Sequence, residues 1–325
     1  MILKNKSIIL WLCTCIVLIY AIIIVGGYTR LTHSGLSIVQ WKPISGIVPP
    51  LSNDSWQTEF EEYQQSPEYQ KINHGMQLEE FKQIFLVEYL HRLLGRIIGL
   101  AFLLPFLYFS FAKCFTKKEI YYYSMIAGLI GLQGAIGWFM VKSGLIDNPN
   151  VSQYRLALHL IMACIILGLL VWKIIPGKNI GSKYAYISLI LLFLQIISGA
   201  FVAGLHAGLV YNSFPLMDGQ LIPDGLFIIK PWYLNIFENI TMVQFIHRSL
   251  GIVNVINILA YCYKISNLGG LKKIAVLLSS FIIIQLFLGI LTLILQVPLP
   301  LALLHQTMAI ALLITMIASL KGYKE

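Results

Sequence analysis

Charge is what this sequence has least of. Of its 325 residues only 11% are Asp, Glu, Lys or Arg, whereas 58% are hydrophobic, and the mean hydropathy is +0.78. No soluble core absorbs that much apolar sequence, so the chain falls in the membrane class. Cysteine is scarce as well, and its placement excludes several chemistries. Cys13, Cys15, Cys114, Cys164 and Cys262 all fall in apolar runs or near their ends, none in a long polar connection where a disulfide would be favoured. There is no Cys-x-x-Cys-His run and no Cys/His cluster at zinc spacing. Cys13-x-Cys15 is therefore read as packing. No Asp-rich diphosphate-binding motif occurs in any connection, which argues against prenyl transfer.

What is present is a series of charge-poor runs. A hydrocarbon core of ~30 Å needs about 20 helical residues, and such runs cover residues 7–27, 84–110, 120–141, 155–175, 184–206, 240–263, 274–296 and 299–320. The expectation is an all-α integral membrane protein of eight transmembrane helices. The first run follows Lys4 and Lys6 but is too long for a signal h-region and lacks a small-x-small cleavage site, so it is read as a span. With no Arg/Ser-rich presequence before it, a bacterial inner membrane is expected.

The formal charge of +9 marks orientation rather than a nucleic-acid partner. Lys4 and Lys6, Lys113, Lys117 and Lys118, Lys173, Lys178 and Lys183, Lys264, Lys272 and Lys273, and Lys321 and Lys324 occupy the N-terminus, the connections after spans two, four and six, and the C-terminus. The positive-inside rule makes these cytoplasmic. The long connections 28–83 and 207–239 are then periplasmic, and the first holds seven of the fourteen acids.

The chain repeats itself. Gly26-Gly27-Tyr28-Thr29-Arg30-Leu31-Thr32-His33-Ser34-Gly35-Leu36 after the first span matches Gly199-Ala200-Phe201-Val202-Ala203-Gly204-Leu205-His206-Ala207-Gly208-Leu209 after the fifth, at a constant offset of 173. His91-Arg92-Leu93-Leu94-Gly95 recurs as His247-Arg248-Ser249-Leu250-Gly251, and Gln133-x-x-x-Gly137 as Gln285-x-x-x-Gly289. Two tandem four-helix bundles are expected, 1–178 and 179–325, related by a pseudo-two-fold axis along the membrane normal.

Charged and histidine side chains sort sharply among the spans. The even ones carry His91, His159, His247 and His305, all about one to two turns from the periplasmic end; the odd ones carry none apart from His206 at an end. One membrane histidine is commonly an interhelical hydrogen-bonding residue. Four at one depth suggest two axial-ligand pairs for haem iron, His91 with His159 and His247 with His305. No Cys, Met or acid repeats beside them as copper or zinc would want, and a histidine proton relay is the alternative. Arg92 and Arg248 follow two of the histidines, with Arg96 and Arg155 nearby, and are candidates for haem propionates or for snorkelling to headgroups. Gly95, Gly99, Gly137, Gly251 and Gly289 allow close helix approach.

The halves differ where chemistry would sit. Glu88 precedes His91 by three residues, and the matching residue before His247 is Gln244. Residues three apart share a helix face, so Glu88 would lie beside whatever His91 holds, in surroundings that penalise its charge. That suits a general base or a stabiliser of cationic charge; a partner for Arg92 is the structural alternative. The first half is thus expected to do chemistry and the second to hold a redox group.

These segments, with Ser34-Gly35-Leu36-Ser37, Trp41-Lys42-Pro43, Gly46, Pro49-Pro50, Glu88-Tyr89-Leu90-His91-Arg92 and Gly95-Arg96, resemble the haem A synthases of the Cox15/CtaA family over nearly the whole chain. The resemblance implies oxidation of the C8 methyl of haem O to a formyl group, giving haem A for terminal oxidases. It further implies that His91 and His159 bind the substrate haem, that His247 and His305 bind a haem b cofactor, and that Glu88 is catalytic. Part of that family has a periplasmic cysteine pair, absent here. Haem O synthase and the lipid bilayer are the partners implied, a homo-oligomer is compatible with them, and the rival reading is a diheme b-type electron-transfer protein.

Overall fold

The structure, a computed structural model, describes residues 2–179, 182–267 and 270–322; Lys324 lies outside them. The chain runs α1 (Ile2–Leu31), α2 (Asn53–Gln64), α3 (Pro67–Lys71), α4 (Leu78–Phe111), α5 (Lys117–Gly144), α6 (Gln153–Ile174), α7 (Lys183–Gly204), α8 (Asn235–Glu238), α9 (Ile240–Ser266), α10 (Lys272–Ile294) and α11 (Leu299–Ser319). Eight of these, α1, α4, α5, α6, α7, α9, α10 and α11, are long and apolar enough to cross a membrane. They are the eight runs expected. Lys178–Asn179 and Lys321–Gly322 add one short antiparallel pairing.

The largest departure is at α4, which starts at Leu78 where the apolar run suggested residue 84. Its 34 residues, at ~1.5 Å each, exceed a ~30 Å hydrocarbon core, so a polar stretch extends the helix beyond it. Glu79, Glu80 and Lys82 interrupt the apolar pattern, but Gln77 and Glu80 form a reciprocal cap that satisfies end N–H groups. Outward faces of the spans carry large exposed apolar side chains such as Leu10, Leu104 and Ile256, as contact with lipid requires. Inside, polar side chains tie helices through backbone carbonyls: Trp11 Nε1 donates to Ala101 O at 2.9 Å and Asn254 to Leu191 O at 3.2 Å.

The chain divides into two compact units, 1–166 and 167–325. The division falls within α6, ahead of the 178/179 boundary drawn from the repeat. The last turns of α6 belong with the second unit, where Gly168 meets Ile317 and Lys321 Nζ donates to Trp172 O at 2.5 Å.

In the first unit the connection after α1 folds back over α4. Ile38, Phe60, Tyr63, Phe81 and Phe85 form its core, Ser52 caps α2, and Tyr89 Oη donates to Ile47 O at 2.6 Å. Glu68 is buried there, accepting from Tyr63 Oη at 3.1 Å; burial, with the Glu88 charge adding to it, pushes its carboxyl up to about 7. In the second unit α7 packs on α9, α9 on α10, α10 on α11 and α11 on α7, a closed four-helix arrangement. The repeat extends to backbone conformation. His33 and His206, 173 residues apart, both end their helix in the left-handed region, at φ 51° and 52°.

Candidate functional site

A glycine of the preceding helix seats each of the four histidines. A Cβ built on Gly26 would lie 3.0 Å from His91 Cε1, on Gly137 2.9 Å from His159 Cε1, on Gly199 3.1 Å from His247 Cε1 and on Gly289 2.9 Å from His305 Cε1. A methyl group at any of these places would have to push the imidazole aside, so glycine lets each ring approach its helix this closely. All four rings remain half-buried. The motif therefore recurs once per helix pair, four times in the chain. Of the glycines singled out from the sequence, Gly137 and Gly289 are seats, whereas a Cβ on Gly99 would meet nothing within 4 Å.

Four residues before the seat, three of the helices carry glutamine. Gln133 Nε2 lies 3.4 Å from His159 Nε2 and donates to His159 O at 3.0 Å. Gln195 Nε2 lies 3.2 Å from His247 Nδ1 and donates to His247 O at 3.1 Å. Gln285 Nε2 lies 3.2 Å from His305 Nδ1. In α1 the equivalent residue is Ile22, and His91 has no such amide.

The second unit brings its two histidines together. His247 and His305 have ring centroids 6.5 Å apart with planes at 81°. Two metal–nitrogen bonds of about 2 Å, plus about 1 Å from each nitrogen to its ring centre, place centroids ~6 Å apart, so these two imidazoles would suit sharing one metal ion. Among the described residues no group of three or more His, Cys, Asp or Glu is placed to hold a metal ion. Two imidazoles per unit, with an apolar surround and no third ligand, fit a haem whose own nitrogens complete the coordination.

Glu88 is buried and its two oxygens accept four hydrogen bonds. Ser37 Oγ at 2.7 Å and Ile38 N at 2.9 Å donate to Oε2; Arg92 Nε at 3.0 Å and Nη2 at 2.7 Å donate to Oε1. The burial expected from sequence is thus met by an ion pair with Arg92, the structural alternative, in which two N–H groups share Oε1, and by two further donors on Oε2. At the matching place in the second unit, Gln244 Nε2 donates to Ala207 O at 2.9 Å and Tyr211 O at 3.2 Å. Ser37 corresponds to Val210 there, so acid and hydroxyl are replaced together.

The structure commits the two arginines to backbone. Arg92 donates to Ile38 O at 2.8 Å and Gln40 O at 3.1 Å. Arg248 donates to Tyr211 O at 2.6 Å and Ser213 O at 2.7 Å, the same two places 173 residues on. Each clamps the connection that follows the preceding helix. Arg155 donates to Phe139 O at 2.7 Å, and Arg96 to Pro43 O and Lys42 O at 3.0 and 2.7 Å. Arg96 Nη1 is buried without a protein partner, beside a cleft lined by Lys42, Pro49, Tyr89 and Arg92.

A family model of cytochrome oxidase assembly proteins, COX15-CtaA, matches residues 9–317. The chain belongs to the COX15-CtaA family. Among its relatives, the heme A synthase of Nitrosospira multiformis is 47% identical over 323 residues, covering 95% of this chain and 91% of that protein. That of Wolbachia pipientis subsp. Culex pipiens is 47% identical over 314 residues, 93% of each chain, and that of Rickettsia bellii 45% identical over 329 residues, 95% and 96%.

For this COX15-CtaA member, sequence reasoning named the four histidines and Glu88 but not what supports them. Gln195 and Ser198 were missed, and Gly26 and Gly199 served only to align the repeat. The signal was available: Gln195-x-x-x-Gly199 has the spacing of Gln133-x-x-x-Gly137 and Gln285-x-x-x-Gly289, but it shows only when the repeat unit is taken as a helix pair rather than four helices.

Proposed function

We propose that this protein is a haem A synthase that oxidises the C8 methyl group of haem O to a formyl group in the bacterial inner membrane. In this reading His91 and His159 hold the substrate haem, and His247 and His305 hold a resident haem b. The single observation that carries it is the difference between two otherwise duplicated sites: Glu88 with Ser37 in one, Gln244 with Val210 in the other. A site that only carried electrons would have no use for that asymmetry. The second pair's centroid spacing of 6.5 Å and its glycine seats support the resident site, and the family's relatives support the reaction.

When bound, haem b supplies a one-electron carrier whose potential its axial ligands and surroundings set. The protein's own residues do the rest. His91 and His159 orient the substrate ring from glycine seats that fix imidazole position. Oxidation of the methyl group leaves an electron-poor carbon, and in this reading Glu88, three residues before His91, stabilises it or accepts a proton. Ser37, Ile38 N–H and Arg92 hold the carboxylate in one orientation, so its charge costs no reorganisation during reaction. Arg92 acts chiefly on the connection it clamps and on Glu88; Arg96 in the first unit and Arg248 in the second also clamp carbonyls, but each keeps a buried nitrogen without a protein partner, Nη1 and Nε respectively, that could receive a propionate. Both termini are cytoplasmic, and haem O arrives from haem O synthase.

Pigment analysis tests the reading. The purified protein should carry haem b together with haem O or haem A in substoichiometric amount, and His247→Ala or His305→Ala should remove the stable bis-histidine b-type spectrum. Two equivalents of haem b and no haem O or haem A would favour the diheme electron carrier instead.

A further inference from the structure

The two histidine pairs differ in a way that Glu88 does not explain: their Nδ1 atoms. His91 Nδ1 and His159 Nδ1 are buried and have no hydrogen-bond partner in the protein. In the second unit Ser198 Oγ lies 2.8 Å from His247 Nδ1, and the Gln285 amide lies 3.2 and 3.4 Å from the two ring nitrogens of His305.

The direction of the Ser198 contact follows from the haem reading. With Nε2 given to iron, the neutral imidazole carries its proton on Nδ1 and donates it to Ser198 Oγ. The hydroxyl has its own acceptor in Gln195 O, 2.9 Å away, so an Oγ lone pair is left for the ring. The Gln195 amide cannot substitute for it. At 3.2 and 3.4 Å from the two ring nitrogens, it aims at neither lone pair.

We propose that Ser198 is a positioning residue that fixes the Nδ1–H tautomer and ring orientation of His247, making the second unit's haem a permanent occupant while the first unit's haem exchanges. The residue 173 before Ser198 is Val25, and 173 before Gln195 is Ile22, so α1 offers His91 neither hydroxyl nor amide. A substrate site has to release its ring after every turnover, and ligands without such anchors let go more readily. An acceptor on the second nitrogen also raises ligand basicity, and its loss typically costs 10–100-fold in metal affinity. The inference rests on the haem reading above but adds a residue and a direction to it.

The test uses the full-length protein in detergent with haem b as probe. Loss of the b-type haem to excess apomyoglobin and its midpoint potential are measured for Ser198→Ala, Ser198→Thr and Val25→Ser. Ser198→Ala should keep the bis-histidine spectrum but lose haem about 10–100-fold faster, with the potential moved upward because a less basic ligand favours ferric iron less. Ser198→Thr, which keeps the hydroxyl, should restore both. Val25→Ser should slow release from the first unit, and it remains informative if Ser198→Ala does not fold. Wild-type release rate and potential in Ser198→Ala would overturn the proposal, as would an unchanged first-unit release in Val25→Ser. His247→Ala separates the two readings: if it keeps the b-type spectrum the haem assignment itself fails, whereas if it loses it and Ser198→Ala is unaffected, only the role of Ser198 fails.

Discussion

Replacing Glu88 by glutamine keeps the side chain's shape and reproduces the residue found in the other unit, yet the surroundings make it a demanding change. Each carboxylate oxygen accepts two donors, so an amide must point its NH2 at one of the two pairs. Either way the buried ion pair with Arg92 becomes a neutral contact, a loss of up to about 3–5 kcal/mol. Pointed at Arg92, the NH2 would also set donor against donor; pointed at Ser37 and Ile38, it leaves the amide oxygen to accept from Arg92 and costs less. The Ser37 hydroxyl can turn to Ser34 O, already 2.9 Å away, which leaves the Ile38 N–H as the single unpaired donor, about 1–3 kcal/mol. The second arrangement should win, and Arg92 keeps its clamp through Ile38 O and Gln40 O. The expected result is a folded, haem-binding protein of lower thermal stability. Formyl production should fall by about 10²–10⁴, the range for loss of a general base, with haem O or a hydroxymethyl product accumulating. Chromatography of extracted haems, beside a bis-histidine spectrum as folding control, reads both. Near wild-type haem A from a Glu88→Gln protein would reduce Glu88 to the anchor of Arg92.

Gly137→Ala and Gly289→Ala put a methyl group 2.9 Å from a histidine Cε1 and should each abolish one bis-histidine signal, whereas Gly99→Ala, with nothing within 4 Å, should leave both intact. The buried Glu68 carboxyl, raised to about 7 from 4.5, holds more proton in the folded than in the unfolded chain between those values. Stability of the segment around α2 and α3 should therefore be greatest below about pH 4.5, fall as pH rises to about 7 and then level off; Glu68→Gln should flatten that profile in limited proteolysis, and an unchanged profile would refute it. Cysteine placed at Asn53 should be labelled from outside intact cells and cysteine at Lys118 should not, the reverse pattern overturning the topology proposed from the lysines.

The eight spans are local properties of the chain, which is why their order and nearly all their ends could be read without coordinates: a run of about 20 apolar residues has no alternative in lipid but to close its hydrogen bonds as a helix. Histidine in such a run is conspicuous by its cost, and four at matching places announce pairs; the Glu88/Gln244 difference was equally plain because the repeat supplies its own reference. The early start of α4 was not legible, since a reciprocal cap and aromatic packing on Phe81 and Phe85 hold those turns where the apolar pattern is broken. Nor could spacing say that Glu88 is held by Ser37 and by the Ile38 backbone, fifty residues earlier, or that Arg92 and Arg248 face carbonyls. Ser198 is the clearest case. A serine in an apolar helix reads as packing until the fold brings a histidine from the next helix to 2.8 Å. Sequence by itself determined which segments span and which residues are costly enough to need a purpose. Only the tertiary structure decided which donor meets which acceptor, because a hydrogen bond between helices depends on their rotation and depth, and these are fixed by packing rather than by periodicity.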